Sequence, residues 1–469
     1  MGKLRGVTPN RWSPRGEAVA DIQGERQPLH IWQGIVGETC DVAVDRVGQN
    51  RAYGRWLGSR QPHPTRVKPV DNRSDSCAWL HMNSQGQEAA HRTLVRTALD
   101  NADLHDVPLG SWTPCPDGPT NFRYVVKVGF DLSPKGRLRM GAWARHTRKI
   151  TPIPQCTAAA PVLRKVMASL AHHSINMGFQ PYNPMTDEGV LRAAVLRASR
   201  TTGQVLVTLV VGRRPRALAE LAEILGRQCP EIAGIWVHIN ADEGNAIFGR
   251  DEDGEIRSLP LIGRDAVEET LGPVTYLIGP GDFFQTNPST AEVLYEHVME
   301  KLSPSPEDAL VDLYCGVGGM ALQAAARGAF VVGVEEVGGA VERARVAAHR
   351  NKLSARFTAG RVSDVVPQIA EQLAANAPLV TVNPARRGLE EGVVDTLLTL
   401  RPRRIAYVSC NARALARDLA QFRDRGMRIH TVDLFDMFPH TPHVETVTIL
   451  EPAEAPTATR RPPRRKVIR

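Results

Sequence analysis

Val311-Asp312-Leu313-Tyr314-Cys315-Gly316-Val317-Gly318-Gly319 leaves an apolar strand, turns on glycines and opens a helix at Met320. Glycine lets the chain turn sharply and lets backbone approach a ligand closely. Downstream, Val331-Val332-Gly333-Val334-Glu335 is a second apolar strand that ends in an acid. A carboxylate there is placed to take two ribose hydroxyls. This strand, glycine turn, helix, strand grammar is that of a doubly wound parallel α/β sheet, which binds its ligand at the carboxyl ends of the strands.

The glycine loop leaves the ligand open. Gly316-Val317-Gly318-Gly319-Met320-Ala321 reads GxGxxA, which dinucleotide sites also show. Asp312, an acid at the strand end, would repel a pyrophosphate. It favours a cationic ligand such as S-adenosylmethionine, with its sulfonium and ammonium groups.

Outward from the loop, strands are expected at Ala309–Leu313, 330–334, Leu379–Val382 and 405–409, with helices at 320–326, 339–351 and Ala412–Asp424. Residues 428–434 and 444–450 read as a closing antiparallel pair. The expected divisions are a β-barrel over 1–70, an α+β middle domain over 71–275, a Rossmann-like α/β domain over 276–452 and a basic, disordered tail over 453–469. Short alternating strands in the first segment carry eleven Lys and Arg against six Asp and Glu, which suits a nucleic-acid platform.

Two later strands end in residues with chemistry to offer, Val382-Asn383-Pro384-Ala385-Arg386-Arg387-Gly388 and Tyr407-Val408-Ser409-Cys410-Asn411. A lone Cys on a strand is ordinarily a small buried hydrophobe. Cys410 differs because it falls at the strand end, before a helix whose N-terminus favours thiolate; Arg386 or Arg387 would add to that field. A methyltransferase needs such a thiolate when the acceptor carbon is a weak nucleophile. At uracil, addition to C6 gives C5 carbanion character, after which a base must remove the C5 proton. Glu445, just beyond the loop bordering the same face, is the candidate base.

The strings Phe284-Gln285-Thr286-Asn287, Asp312-Leu313-Tyr314-Cys315-Gly316, Gly333-Val334-Glu335, Asn383-Pro384, Tyr407-Val408-Ser409-Cys410-Asn411 and Asp436-Met437-Phe438-Pro439-His440-Thr441 through Glu445 resemble the RNA uracil-5-methyltransferase family. The resemblance implies a class I methyltransferase fold and S-adenosylmethionine contacts from Gln285, Tyr314, Glu335 and Asn383. It implies Cys410 as nucleophile and Glu445 as proton acceptor. The first segment resembles an OB-like, RNA-binding TRAM barrel, whose motifs fall at Gly37-Glu38 and Arg66-Val67-Lys68-Pro69. That barrel favours 23S rRNA as substrate, with tRNA as the alternative. Many family members hold an iron–sulfur cluster on C-x5-C-x2-C and a distant Cys. Here only Cys77 and Cys156 match, so neither a cluster nor another metal is expected. Two prolines of the family pattern are replaced, by Ala385 and Ala412, without loss of a chemical group.

Net charge is +8, and only nine of the 58 basic residues are Lys. An Arg-rich surface suits RNA, although a GC-rich coding sequence gives the same bias. Seven scattered cysteines without a CxxC pair argue against a disulfide framework. No apolar run is long enough to span a membrane, and the N-terminus has no secretory pattern, so a monomeric cytoplasmic protein is expected. Two other functions remain in view. An RNA cytosine-5-methyltransferase would carry a second Cys after Pro384, where Ala385 stands. A retired, RNA-binding homologue would explain the degraded cysteine set but not the retention of Cys410 and Glu445.

Overall fold

Every residue of strand Ala309–Leu313 is buried, as in a parallel strand covered by helices on both faces. In the computed structural model, which describes residues 2–69, 77–143, 150–152, 156–244, 246–249, 258–373 and 377–453, this strand lies inside an eight-stranded sheet. The spatial order is Ala355–Ala359, Phe330–Glu335, Ala309–Leu313, Leu379–Val382, Arg404–Ser409, Glu445–Pro452, Met427–Phe435 and Leu109–Thr113. The first five are mutually parallel, and Glu445–Pro452 inserts antiparallel between Arg404–Ser409 and Met427–Phe435. Strand order reverses beside Ala309–Leu313, where an α/β sheet opens a crevice for ligand.

Helix Pro288–Leu302 starts on Asn287, whose side chain accepts from the Thr290 amide, and Pro288 occupies the first turn. Helix Ala412–Asp424 starts on Asn411, whose Oδ1 accepts from the Arg413 amide at 3.1 Å. Its Leu415, Leu419 and Phe422 are buried at helical spacing against the sheet. Both asparagines thus end a site loop and fix the next helix.

The amino-terminal strands form a six-stranded sheet in the order Lys3–Val7, Cys40–Val47, Ala52–Ser59, Leu29–Trp32, Ala18–Ala20 and Arg11–Trp12. It has its own small core around Leu29, Ile31 and Val42. The two motif strings at 37–38 and 66–69 meet there. Arg66 donates to Glu38 through Nε at 2.6 Å and again through Nη2, and its guanidinium lies 4.3 Å from the Trp56 ring centre.

A seven-stranded sheet follows, in the order Ile150–Pro152, Leu138–Trp143, Val125–Leu132, Leu191–Ala198, Val205–Val211, Ile232–Ile239 and Leu259–Gly263. Helices Pro161–Asn176 and Ala217–Gln228 contribute to its core. The expected middle segment, 71–275, needs one correction. Helix Ser84–Asp100 packs on Ala412–Asp424, and Leu109–Thr113 is the edge strand of the eight-stranded sheet, parallel to Met427–Phe435. Alternation alone could not assign such a short strand to a sheet whose other members lie far downstream. Strand Ala355–Ala359 was also missed; three of its five residues are exposed, so it lacks the apolar run of its neighbours. The basic string at 460–466 lies outside the described residues. Among the described residues, no helix is long and apolar enough to cross a membrane.

Candidate active site

Phe283, Phe284, Tyr295, Asp312, Tyr314, Cys315, Val317 and Asn383 help enclose a pocket of about 310 Å³ at the carboxyl ends of the sheet. It therefore joins Tyr314 and Asn383, two of the four residues expected to hold a cofactor. Tyr314 adopts a left-handed backbone, φ 61°, which turns the chain from the strand into the glycine loop. Glu335 stands at the tip of the next strand, where its carboxylate accepts from the Gly316 amide at 3.0 Å and the Val337 amide at 2.9 Å. Each oxygen keeps a lone pair for a hydroxyl donor. Gln285 is buried, and among the described residues its Nε2 has no hydrogen-bond partner. A buried, unpaired amide donor is costly unless a ligand accepts from it.

Asp312 departs from the expected role. It is fully buried, and its two oxygens accept from Thr381 Oγ1 at 2.7 Å and the Ala321 amide at 2.8 Å. Burial pushes its pKa up to about 7. The residue braces the glycine turn and the following helix rather than offering a free negative charge to a sulfonium. Cys315 lies beneath the loop, where burial pushes its thiol well above the ordinary range, in keeping with a structural role.

Cys410 is half-buried at the end of Arg404–Ser409. Asn411 Nδ2 donates to the Arg386 carbonyl at 2.8 Å, tying the end of the Arg404–Ser409 strand to the Asn383–Gly388 loop. The Arg386 side chain hydrogen-bonds to Cys410, and its charge also acts on Glu445. Arg387 turns away and pairs with Glu390 at 2.5 Å. The helix N-terminus does not dominate the thiol as expected: burial, then the neighbouring Glu445 charge, push Cys410 up to about 11 against the opposing pull of Arg386. Glu445 is buried and raised to about 8 for the same first reason. Both side chains thus favour the neutral form at neutral pH.

The closeness of Cys410 and Glu445 follows from sheet register. Ser409 pairs with Thr446 in the antiparallel ladder, and Thr446 Oγ1 donates to the Ser409 carbonyl at 2.9 Å. Just beyond this last pair, Cys410 follows the end of one strand and Glu445 begins the other, which brings the two close.

Sequence reasoning missed Tyr295 and Phe283. Tyr295 is buried in the pocket wall with its hydroxyl in the field of both Asp312 and Glu445, which links the pocket to the thiol side. Its helical position resembles any core aromatic, so the sequence carried no signal for it. Phe283 is 63% exposed at the pocket edge, and its adjacency to Phe284-Gln285 was the available clue.

Cys77 and Cys156 share one buried core, and both act electrostatically on Arg123. Cys115 is in that core too, but its sulfur accepts from Asn287 Nδ2 at 3.3 Å. Residues 71–76 lie outside the described residues. Among the described residues there is no set of three or more His, Cys, Asp or Glu arranged to hold a metal ion. Two thiols beside a guanidinium do not fit a four-thiolate cluster.

This sheet order, with a nucleotide-type pocket at its switch point and a Cys–Glu pair beside it, defines a class I methyltransferase. The family model described as tRNA (uracil-5-)-methyltransferase matches residues 261–453. An uncharacterised RNA methyltransferase of Listeria innocua is 30% identical over 93% of this chain and 94% of its own length. One of Geobacter sulfurreducens is 33% identical over 90% of this chain and 85% of its own. A solved structure, the Pyrococcus abyssi tRNA (uracil-54, C5)-methyltransferase in complex with S-adenosyl-L-homocysteine, is 27% identical with a TM-score of 0.74, covering 95% of this chain and 99% of that one. The chain belongs to the RNA uracil-5-methyltransferase family and is an RNA methyltransferase.

Proposed function

We propose that the protein transfers a methyl group from S-adenosylmethionine to C5 of a uridine in RNA, with Cys410 as nucleophile and Glu445 as proton acceptor. The observation that carries this reading is the register that brings Cys410 and Glu445 together, with the Arg386 charge acting on both and the pocket of Tyr314 and Asn383 on the same domain. Gln285, Tyr314, Glu335 and Asn383 would hold the cofactor, which supplies an electrophilic methyl when bound. The unpaired Gln285 amide and the free lone pairs of Glu335 fit such a ligand.

The Cys410 thiol first loses its proton to solvent, favoured by Arg386. The thiolate forms a bond to uracil C6, and the C5–C6 π pair moves towards C5 and the C4 oxygen. C5 takes the methyl group. Ionised Glu445 then removes the C5 proton, the pair left at C5 re-forms the double bond, and the C6–sulfur bond breaks to release thiolate. RNA containing 5-fluorouridine tests the scheme, because fluorine at C5 cannot leave as a proton. Wild type should form a covalent adduct and Cys410→Ala should not; absence of the first or persistence of the second refutes the mechanism.

The target RNA has two readings. The amino-terminal barrel motivates 23S rRNA, whereas similarity to the Pyrococcus abyssi tRNA enzyme along nearly the whole chain favours tRNA. That similarity covers the barrel region too, so the barrel is a weaker mark of rRNA than its motifs imply. Mass spectrometry of rRNA and tRNA from a strain lacking the gene distinguishes them by which pool loses one 5-methyluridine. The cytoplasm is the compartment in which we place this activity.

A further inference from the structure

The loop 436–443 leads into Glu445, the first residue of its strand, which pairs with Phe435. The loop itself is held by elements far away in sequence. Gln87, on helix Ser84–Asp100, is buried and uses all its amide atoms. Its Oε1 accepts from the His440 amide at 2.7 Å. Its Nε2 donates to the Met82 carbonyl at 2.8 Å and to His440 Nδ1 at 3.0 Å. Burial lowers the His440 pKa, which keeps the ring neutral and its Nδ1 able to accept.

The neighbouring loop residues are held as well. The Trp79 amide donates to the His440 carbonyl at 2.9 Å, and His91 Nε2 lies 2.9 Å from the Thr441 carbonyl. Trp79 reaches the amino-terminal sheet through Nε1, which donates to the Gly16 carbonyl at 2.8 Å. Gly16, at φ +75°, lies so close to Pro442 that a Cβ there would overlap the proline ring. His440 has a left-handed backbone, φ 63°, a conformation that a non-glycine residue keeps where its surroundings enforce it.

We propose that Gln87 is a positioning residue for the proton acceptor: by gripping His440 through main chain and side chain together, it sets the approach of Glu445 to the uracil C5 proton. The inference rests on the assignment of Glu445 as proton acceptor. It separates two halves of the reaction. Thiolate addition and methyl transfer do not need the base, whereas proton removal and release of the RNA do. Loosening the grip therefore traps protein on RNA after methyl transfer.

The test uses the full-length protein, ordinary uridine-containing RNA and S-adenosylmethionine, with Glu445→Gln and 5-fluorouridine RNA as references. In Gln87→Ala, kcat should fall by about ten- to a hundredfold, the range for small misplacement of a reacting group, and KM for RNA should fall with it because the slowed step follows covalent commitment. A covalent protein–RNA species should accumulate on denaturing gels, as for Glu445→Gln. Gln87→Glu keeps the size and the acceptor but lacks both N–H donors. It should show the same accumulation and serves if the alanine variant fails to fold. Wild-type turnover in a Gln87 variant, or reduced turnover without covalent accumulation, overturns the inference. If Glu445→Gln accumulates adduct and the Gln87 variants do not, only the inference falls. If wild type forms no adduct even with 5-fluorouridine, the mechanism falls and the inference with it.

Discussion

Cys410 and Glu445 stand one residue past the Ser409–Thr446 pair of an antiparallel ladder, so backbone register brings the proposed nucleophile and the proposed proton acceptor together. Both carry protons at rest, for a shared reason: each is buried, and each anion would raise the energy of the other. Arg386 is the counterweight.

The rate of adduct formation should therefore climb with pH towards the Cys410 value of about 11, whereas release of the RNA, which needs ionised Glu445, should climb through about 8. Arg386 favours both anions, so Arg386→Gln should shift the profile upward in pH and slow the reaction at any fixed pH below the plateau. Single-turnover adduct formation on 5-fluorouridine RNA across this range checks it. A profile unchanged by the substitution would count against Arg386.

Asp312 and Asp436 are both buried and raised to about 7, so the fold prefers them protonated, while the unfolded chain ionises them near the ordinary value of 3.8. Their contribution is fully present below that ordinary value and is lost as pH rises towards and through 7. The cost is limited to about 1.4 kcal/mol per group for each pH unit. Asp436 Oδ1 has no hydrogen-bond partner among the described residues, so Asp436→Asn should flatten the decline without breaking a bond there. Denaturant midpoints at pH 5 and pH 8 should lie closer together in the variant than in wild type.

The Arg66–Glu38 pair is buried, with side-chain exposures of 9% and 0%. Removing one partner leaves an unpaired charge in the amino-terminal core. Arg66→Ala should cost about 3–5 kcal/mol of stability, read from chemical unfolding monitored by tryptophan fluorescence.

Lys127 is exposed on strand Val125–Leu132, on the same sheet face as Arg197, and feels the positive charges of Arg197 and Arg386. Among the described residues it forms no ion pair, so an RNA phosphate would relieve this crowding of cations. Lys127→Glu should weaken RNA binding, and the uncharged Lys127→Gln should lower the slope of log affinity against log salt by about one unit. Binding titrations between low and moderate salt decide it; an unaltered slope would remove Lys127 from the RNA path.

Much of this was legible in the sequence because it rests on local chemistry. The glycine loop, the acid at Glu335 and the strand-end Cys410 announce themselves by type and position. What could not be read depends on contacts between distant segments. Nothing local tells that Leu109–Thr113 completes a sheet begun at Ala309, or that Gln87 reaches His440. The ionisation of Cys410 was misjudged for the same reason. A helix N-terminus is visible in a sequence, but the burial and the facing carboxylate that outweigh it come from register. Asp312 was read correctly as important and wrongly as a partner for charge, because Thr381, which occupies one of its oxygens, lies a strand away.

The placement of Leu109–Thr113 also bears on how the chain is made. The catalytic sheet takes its edge from a segment synthesised long before the strand it covers, Met427–Phe435. That early segment must wait, or pair elsewhere, until the last strands emerge. A fragment starting near residue 276 would keep every reacting group and still present a bare β-edge open to pairing with another copy. Such a fragment should aggregate where the intact chain stays dispersed, so what reads as a self-sufficient catalytic unit depends on residues that precede it by about a third of the chain.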